Sequence, residues 1–392
     1  MARDVAVIGA GVGGLFAAAA LAARGHDVTV FEQAQRIAEV GAGIQISPNG
    51  TRLLDHVGAL TVLLGHAVEP PAITFRDGVS GSEFLRMPLG EAARRRWRAA
   101  YLHVHRADLI AALNACATNM GVDVRLGQAV ESADPDGSIC VRGRCERFDL
   151  VVAANGARSA VRRHLFDAPE PRFTGHVAWR ALLDARAVDA AGAPDGAVVW
   201  QGSGAHVVTY RVSGGRALNV VAVAGGQDWV DESWSIPAVA DELDGVFRGW
   251  AVSPLLREID HCWKWGLFET PPPMRWRNGR VVLLGDACHP MLPFLAQGAV
   301  QALEDGATLA RLLGEDADFD SVLDSYGAER QARVIRVQKT ARANGALFHA
   351  GPSPRRAIMR LAMATVSRLP PAALMAQFDW LFGHDASAAP FR

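Results

Sequence analysis

The glycine-rich segment Gly9-Ala10-Gly11-Val12-Gly13-Gly14 constrains the fold of this chain more than any other feature, because of what flanks it. Asp4 to Ile8 reads as a buried parallel strand, Val12 to Arg24 as an alanine-rich helix, and Asp27 to Glu32 as the next strand. The chain therefore opens as a βαβ unit of an α/β protein. In that context Gly9 permits the tight turn, Gly11 lets the backbone approach a pyrophosphate at the helix N-terminus, and Gly14 allows helix and strand to pack closely. Glu32, at the end of the second strand, can accept hydrogen bonds from ribose hydroxyls. A dinucleotide is expected, with NAD and FAD both open at this point.

Length and charge narrow the class. At 392 residues and about 150 residues per domain, two interleaved domains or one large elaborated domain are expected. Half the residues are hydrophobic and 21% are charged, which excludes a disordered or fibrous chain. Forty basic against forty-one acidic residues leave a net charge of −1, too little positive field to favour nucleic acid as a partner. The five cysteines (Cys116, Cys140, Cys145, Cys262, Cys288) contain no CxxC pair, so neither a disulfide framework nor a metal site is expected. Cys140 and Cys145 read as ordinary thiols on a hairpin, and the cytoplasm fits best. The N-terminus has four glycines in its first fourteen residues and reads as folded protein rather than a signal peptide. No run of about 18 apolar residues suggests a membrane span.

Further along, Thr51 to Leu64 is helical in pattern, Val68 to Leu89 alternates as strands, Arg106 to Met120 reads as a helix, and Leu150 to Ala154 as a buried strand. Between Phe173 and Leu267 the texture changes to valine-rich alternation broken by Gly-Ser turns, the mark of an antiparallel sheet. Seven of the ten tryptophans (Trp179, Trp200, Trp229, Trp234, Trp250, Trp263, Trp265) lie there, first as core packing and second as walls of an aromatic pocket. After Pro271-Pro272-Pro273, Arg280 to Leu284 returns to a parallel strand and long helices follow. The expected division is a discontinuous dinucleotide domain (1–67, 99–172 and 274–345), a substrate-binding sheet domain (68–98 and 173–273) and a C-terminal helical region (346–392).

A second motif decides between the dinucleotides. The strand Arg280 to Leu284 ends in Gly285-Asp286, followed by Pro293 and by Gln297-Gly298-Ala299 before a long helix. A carboxylate at a strand end can hold ribityl hydroxyls, and amides at a helix N-terminus can stabilise negative charge on a reduced isoalloxazine. Both needs belong to FAD.

These residues resemble the single-component FAD-dependent aromatic hydroxylases, the group A flavoprotein monooxygenases, over nearly the whole chain. The resemblance rests on GAGVGG with Glu32, on Gly41 to Leu54, on HRADL (His105 to Leu109), on NGARSAVRR (Asn155 to Arg163) and on Gly285 to Leu309. The likeness is strongest to the salicylate hydroxylase, 3-hydroxybenzoate 6-hydroxylase and 6-hydroxynicotinate 3-monooxygenase group. It implies a Rossmann-like FAD domain interleaved with an antiparallel substrate sheet and C-terminal helices, as in p-hydroxybenzoate hydroxylase, and FAD held noncovalently. The implied flavin contacts are Gly9, Gly11, Val12, Gly14, Glu32 and Gln33 at one end, with Val130 at the adenine; Arg106 at the phosphates or ribityl chain; and Asp286, Pro293, Gly298, Ala299 and Val300 at the other. Gln45, Pro293 and Phe294 are implied on the substrate side, where the hydroxynicotinate branch carries histidines, so a pyridine substrate is disfavoured.

The implied activity is NAD(P)H-dependent hydroxylation of a small aromatic acid or phenol through a flavin C4a-hydroperoxide, with or without decarboxylation. With no second GxGxxG, NADH or NADPH binds transiently; dioxygen and the aromatic are the other partners, and the chain is a monomer or homodimer. A phenol must approach its phenolate, and His206 and Tyr210, four apart on one strand face, are the candidate relay. Arg180 is expected at the flavin ring or the nicotinamide approach. His289 reads as structural and only secondarily as a proton relay. Asn155 departs from the family's usual Asp and keeps hydrogen bonding without the charge; Ala296 stands where many relatives carry Gly. Arg94 to Arg98 reads as a solvated face, and the row Arg330, Arg333, Arg336, Lys339, Arg342 spirals round its helix. Two rivals share the scaffold: a flavin oxidase or dehydrogenase, and a flavin protein that holds an aromatic ligand without turnover.

Overall fold

A computed structural model describes residues 2–37, 42–166, 168–184, 196–226, 229, 235–271, 275–314, 318–349 and 370–388. Trp234, Pro272, Pro273 and residues 350–369 of the expected C-terminal region lie outside the described residues.

The opening βαβ unit forms as the sequence indicates: β1 (Asp4–Ile8), α1 (Val12–Ala22) and β2 (Asp27–Glu32), with β1 and β2 parallel. Nearly every side chain of α1 is apolar, and the helix is covered on all sides, as an evenly apolar helix must be. Next come β3 (Gly43–Ile46), α2 (Pro48–His56) and α3 (Ala59–Leu63). The expected single helix from Thr51 to Leu64 is thus two, because Gly58 at φ 75° turns the chain between them.

The strands β4 (Ala72–Asp77) and β5 (Glu83–Pro88) precede α4 (Glu91–Trp97), β6 (Leu102–His105) and α5 (Arg106–Asn119). Then follow β7 (Asp123–Leu126), β8 (Val130–Ala133), β9 (Ser138–Val141), β10 (Arg144–Arg147), β11 (Leu150–Ala153) and α6 (Ala160–Phe166). The long β12 (Arg172–Asp184) is followed by β13 (Ala197–Gln201), β14 (Ala205–Val212), β15 (Ala217–Gly225) and β16 (Ser235–Ala238). The remainder is α7 (Ala240–Val246), α8 (Ser253–Leu256), β17 (Cys262–Glu269), β18 (Arg277–Asn278), β19 (Val281–Leu283), α9 (Gly298–Leu313), α10 (Phe319–Phe348), α11 (Pro371–Ala376) and α12 (Asp379–Phe382).

Two large sheets organise these elements. The six-stranded sheet runs β18-β19-β11-β1-β2-β7, with strands from three distant parts of the chain side by side. The eight-stranded sheet runs β16-β17-β12-β15-β14-β13-β4-β5 and is antiparallel except where β13 meets β4. Side chains of its central strands alternate: Trp179, Val207 and Val220 enter a core against α7 and α8, while Arg180, His206, Val208 and Val221 face a cavity on the other side.

One cysteine expectation is corrected. Arg142 (φ 51°) and Gly143 (φ 71°) make a two-residue turn between β9 and β10, which sets Cys140 directly opposite Cys145 with Cα atoms 4.1 Å apart, joined as a disulfide. The pair therefore lends no support to a reducing compartment. Among the described residues, no helix is long and apolar enough to cross a membrane.

Candidate active site

A cavity of about 1240 Å³ extends between the two sheets. At one end lies the turn from β1 to α1. Gly9 has φ 104°, and a Cβ on it would stand 2.7 Å from the Ala154 carbonyl oxygen, so no other residue fits. A Cβ on Gly14 would meet the Gly9 oxygen at 2.0 Å, whereas one on Gly11 would meet nothing within 4 Å because Gly11 faces the cavity. The first α1 ladder bond runs from the Leu15 amide to the Gly11 carbonyl, so the preceding amides lie outside the ladder at the cavity wall. Glu32 accepts from the Ala10 and Ala34 amides, each at 2.8 Å, and keeps lone pairs for a further donor. Gln33, Arg106 and Val130 line the same end.

The opposite wall comes from the second motif. Gly285, at φ 62°, turns the chain off β19 so that Asp286 stands exposed at the cavity. Pro293 and Phe294 form a single 3-10 turn closed by Ala296 at φ 50°, a left-handed backbone that glycine adopts without strain. Gln297 then begins α9, whose first residues Gly298 and Ala299 line the cavity. Asn155 lines it too, with Oδ1 buried and without a hydrogen-bond partner among the described residues; Arg180 Nε is buried in the same state.

Helix α9 stands on a buried ionic network that the sequence did not reveal. Arg330 donates to Asp305 Oδ1 and Glu304 Oε2, both at 2.7 Å, and Arg333 donates to both Glu304 oxygens. Burial opposes ionisation of Glu304, but Arg330 and Arg333 outweigh it and hold its carboxyl well below the ordinary range. Asp305 also bonds His289 at 2.6 Å and the Gly285 amide at 2.9 Å, which gives His289 its structural place. Asn49 links Glu304 to Gln297 at the start of α9.

Two expected contacts do not line the cavity. Gly14 is buried between α1 and its turn, and Val300 packs on Gly50, whose Cβ position lies 3.0 Å from the valine methyls. Both shape the wall from behind.

At the sheet end, His206 and Tyr210 line the cavity from the same face of β14, as their spacing indicates. They do not bond each other. His206 Nδ1 meets His349 Nε2, at the end of α10, at 2.7 Å, and His349 stacks on His176 with ring centroids 4.8 Å apart. Burial, then His349 and His176, push the His206 pKa well down; burial, then His176, lowers His349 to about 4. Tyr210 lies beside His103, ring centroids 4.6 Å apart, and its burial raises the phenol pKa although Arg180 opposes the rise. Gln45 accepts from the Tyr101 hydroxyl at 2.8 Å. His349, Tyr101 and His103 escaped sequence reasoning because their partners are distant in the chain.

The basic runs are less free than their pattern indicates. Arg94 pairs with Glu69, Arg95 with Glu91 and Arg96 with Asp379, so the face is exposed but neutralised. In the later row, Arg330 and Arg333 turn inward as above and Arg342 pairs with Glu269.

The residues suit FAD. Two helix N-termini and Arg106 can face a pyrophosphate or reduced ring, Glu32 and Asp286 can face sugar and ribityl hydroxyls, and the volume exceeds the roughly 300–1,000 Å³ of ordinary ligand sites. The chain matches the FAD binding domain family over residues 2–341. It is 36% identical to 3-amino-4-hydroxybenzoate 2-monooxygenase of Streptomyces platensis, over 98% of this chain and 96% of that protein. It is 34% identical to 6-hydroxynicotinate 3-monooxygenase of Bordetella bronchiseptica, again over 98% and 96%. A salicylate hydroxylase substrate complex superposes with a TM-score of 0.81 at 26% identity, covering 98% of this chain and 96% of the other. The chain belongs to this FAD-binding family and, within it, to the FAD-dependent aromatic hydroxylases, which are monooxygenases.

Proposed function

We propose that the protein hydroxylates a phenolic ring with FAD, NAD(P)H and dioxygen, and that the cavity end floored by β12, β14 and β15 receives the ring. Bound FAD supplies hydride acceptance and oxygen activation. The remaining work falls to the chain. Residues 1–67, 99–172 and 274–345 hold the flavin: Glu32 and Gln33 at the adenosine end, the Gly9 to Gly14 turn and Arg106 at the pyrophosphate, Asp286 at the ribityl chain, and the α9 N-terminus at the ring. Residues 68–98 and 173–273 hold the aromatic, with Gln45, Pro293 and Phe294 between it and the flavin.

His206 accepts the phenolic proton at Nε2 while its Nδ1 is shared with His349, so His349 fixes the tautomer and ring orientation of His206. The lowered pKa values keep both imidazoles neutral at pH 7, as an acceptor must be. Arg180, half-buried with its Nε buried and unpartnered among the described residues, stabilises the developing phenolate together with the Tyr210 hydroxyl. The apolar floor excludes water from the reacting ring. The observation that carries this reading is one continuous cavity joining the two glycine motifs to the His206 face of the sheet. The names of the relatives, hydroxylases of ring acids, support it.

Anaerobic stopped-flow reduction of the holoenzyme by NAD(P)H, with and without an aromatic ligand, tests the proposal. Reduction faster with ligand is expected. Equal rates favour the oxidase or dehydrogenase alternative.

A further inference from the structure

The cavity floor is longer than one aromatic ring requires. Its side chains come from six adjacent strands, β12, β15, β14, β13, β4 and β5, so five strand spacings give about 24 Å across. A single ring with its carboxyl group is shorter than two such spacings. The polar groups cluster at one side of this floor: Arg180 on β12, and His206 and Tyr210 on β14.

The other side is mainly apolar among the described residues. Phe75 on β4, Leu85 on β5 and Val199 on β13 face the cavity there, and Phe348 at the end of α10 and Phe378 beyond α11 close it from above. None of the described residues that these elements contribute to the wall is charged. Their polar members are Asn344, whose Nδ2 donates to the Phe294 carbonyl at 3.1 Å, and Gln377, which is exposed. A carboxylate directed to this side would lose hydration and meet no cation among the described residues, a costly burial. A hydrocarbon group would gain from the same surface.

We propose that the substrate is a phenol carrying an apolar extension, a fused second ring or a hydrocarbon side chain, that lies across β13, β4 and β5. The inference rests on the phenol hydroxylation proposed above and names its substrate class. The hydroxyl end is oriented at His206 and Tyr210, and the extension sets affinity. Burial of each further methylene in such a site strengthens binding about fourfold.

Titration of the FAD-loaded enzyme with phenol and with 3- and 4-alkylphenols from methyl to butyl, read by the flavin absorbance change without reductant, tests this directly. In the tighter-binding series Kd should fall about fourfold per methylene, and 2-naphthol should bind more tightly than 3- or 4-hydroxybenzoate. Leu85→Trp, which fills the far side, should abolish the gain with chain length; Phe378→Ala, on the opposite wall, should reduce the gain. A Kd that is flat or rises with chain length, tighter binding of the hydroxybenzoates, or a gain unchanged in both variants overturns the inference. The steep series without oxygen transfer to any phenol would leave the inference standing and remove hydroxylation; a flat series with hydroxylation intact would do the reverse.

Discussion

Replacing Arg330 with methionine should destabilise the protein more than any neutral truncation of comparable size at its surface. Arg330 is 2% exposed and donates at 2.7 Å to each of two carboxylates that are themselves fully buried, Glu304 and Asp305, and at 2.8 Å to Gln301. Methionine roughly fills the volume but leaves Asp305 with only His289 and the Gly285 amide, and Glu304 with Arg333 and Asn49. Removing one partner of a buried ion pair costs about 3–5 kcal/mol. In the native protein both carboxyls are held below their ordinary pKa, so their contribution is present above the unfolded-state value near 4 and is lost as the pH falls below it. In Arg330→Met the buried carboxyl pKa rises above the unfolded value, so protonation relieves the penalty as the pH falls through that raised value. Urea denaturation of the holoprotein at pH 7.5 and pH 5.5 should show a deficit of about 3–5 kcal/mol at the higher pH and a smaller one at the lower. The double substitution Arg330→Met with Asp305→Asn should recover part of it. A deficit below about 1 kcal/mol, or one that does not change with pH, refutes the reasoning.

Other perturbations follow from the same contacts. His103 is fully buried, its nitrogens have no partner among the described residues, and burial lowers its pKa to about 3. The unfolded chain thus takes a proton below about pH 6.5 that the folded one refuses, costing about 1.4 kcal/mol per pH unit as the pH falls; His103→Phe should remove about 2 kcal/mol of the stability lost between pH 6.5 and 5. His349→Leu should lower hydroxylation at least tenfold and alter its pH profile, with FAD affinity within about twofold of wild type; unchanged turnover would deny His349 its positioning role. Asp286→Ala should weaken FAD binding by about 1–3 kcal/mol, measured by flavin release on dilution, whereas an unchanged affinity would take Asp286 out of the ribityl site.

What was legible in the sequence was local. The GAGVGG turn is formed by neighbours i to i+5, and Glu32 by the end of the next strand of the same βαβ unit, so Gly9, Gly11 and Glu32 could be read from the sequence as neighbours, and all three line the cavity. The strand alternation that put His206 and Tyr210 on one face is equally local, and the sheet keeps it. What escaped depends on chain closure: His349 reaches His206 across 143 residues, and Arg330 reaches Asp305 only because α10 packs on α9. The arginine row reads as a spiral with no single stripe, but the sequence does not say which of its members, here Arg330 and Arg333, point inward. The disulfide was missed for a different reason: the hairpin was legible, but five scattered cysteines without a CxxC pair gave no sign that Cys140 and Cys145 stand directly opposite one another. The apolar far side of the cavity is assembled from β4, β5, β13 and the chain's last helices, which no single window of sequence brings together.

The central claim, oxygen transfer from dioxygen to a phenol by a flavin-loaded site, is tested most directly by isotope. The FAD-loaded enzyme is supplied with NAD(P)H, the tightest-binding phenol of the alkyl series and oxygen-18 gas in unlabelled water, and the products are weighed by mass spectrometry. One labelled oxygen atom in the hydroxylated product for each NAD(P)H consumed is the expected result. A product without label, or NAD(P)H consumed with every phenol of the series left unchanged and hydrogen peroxide released in equal amount, would contradict it.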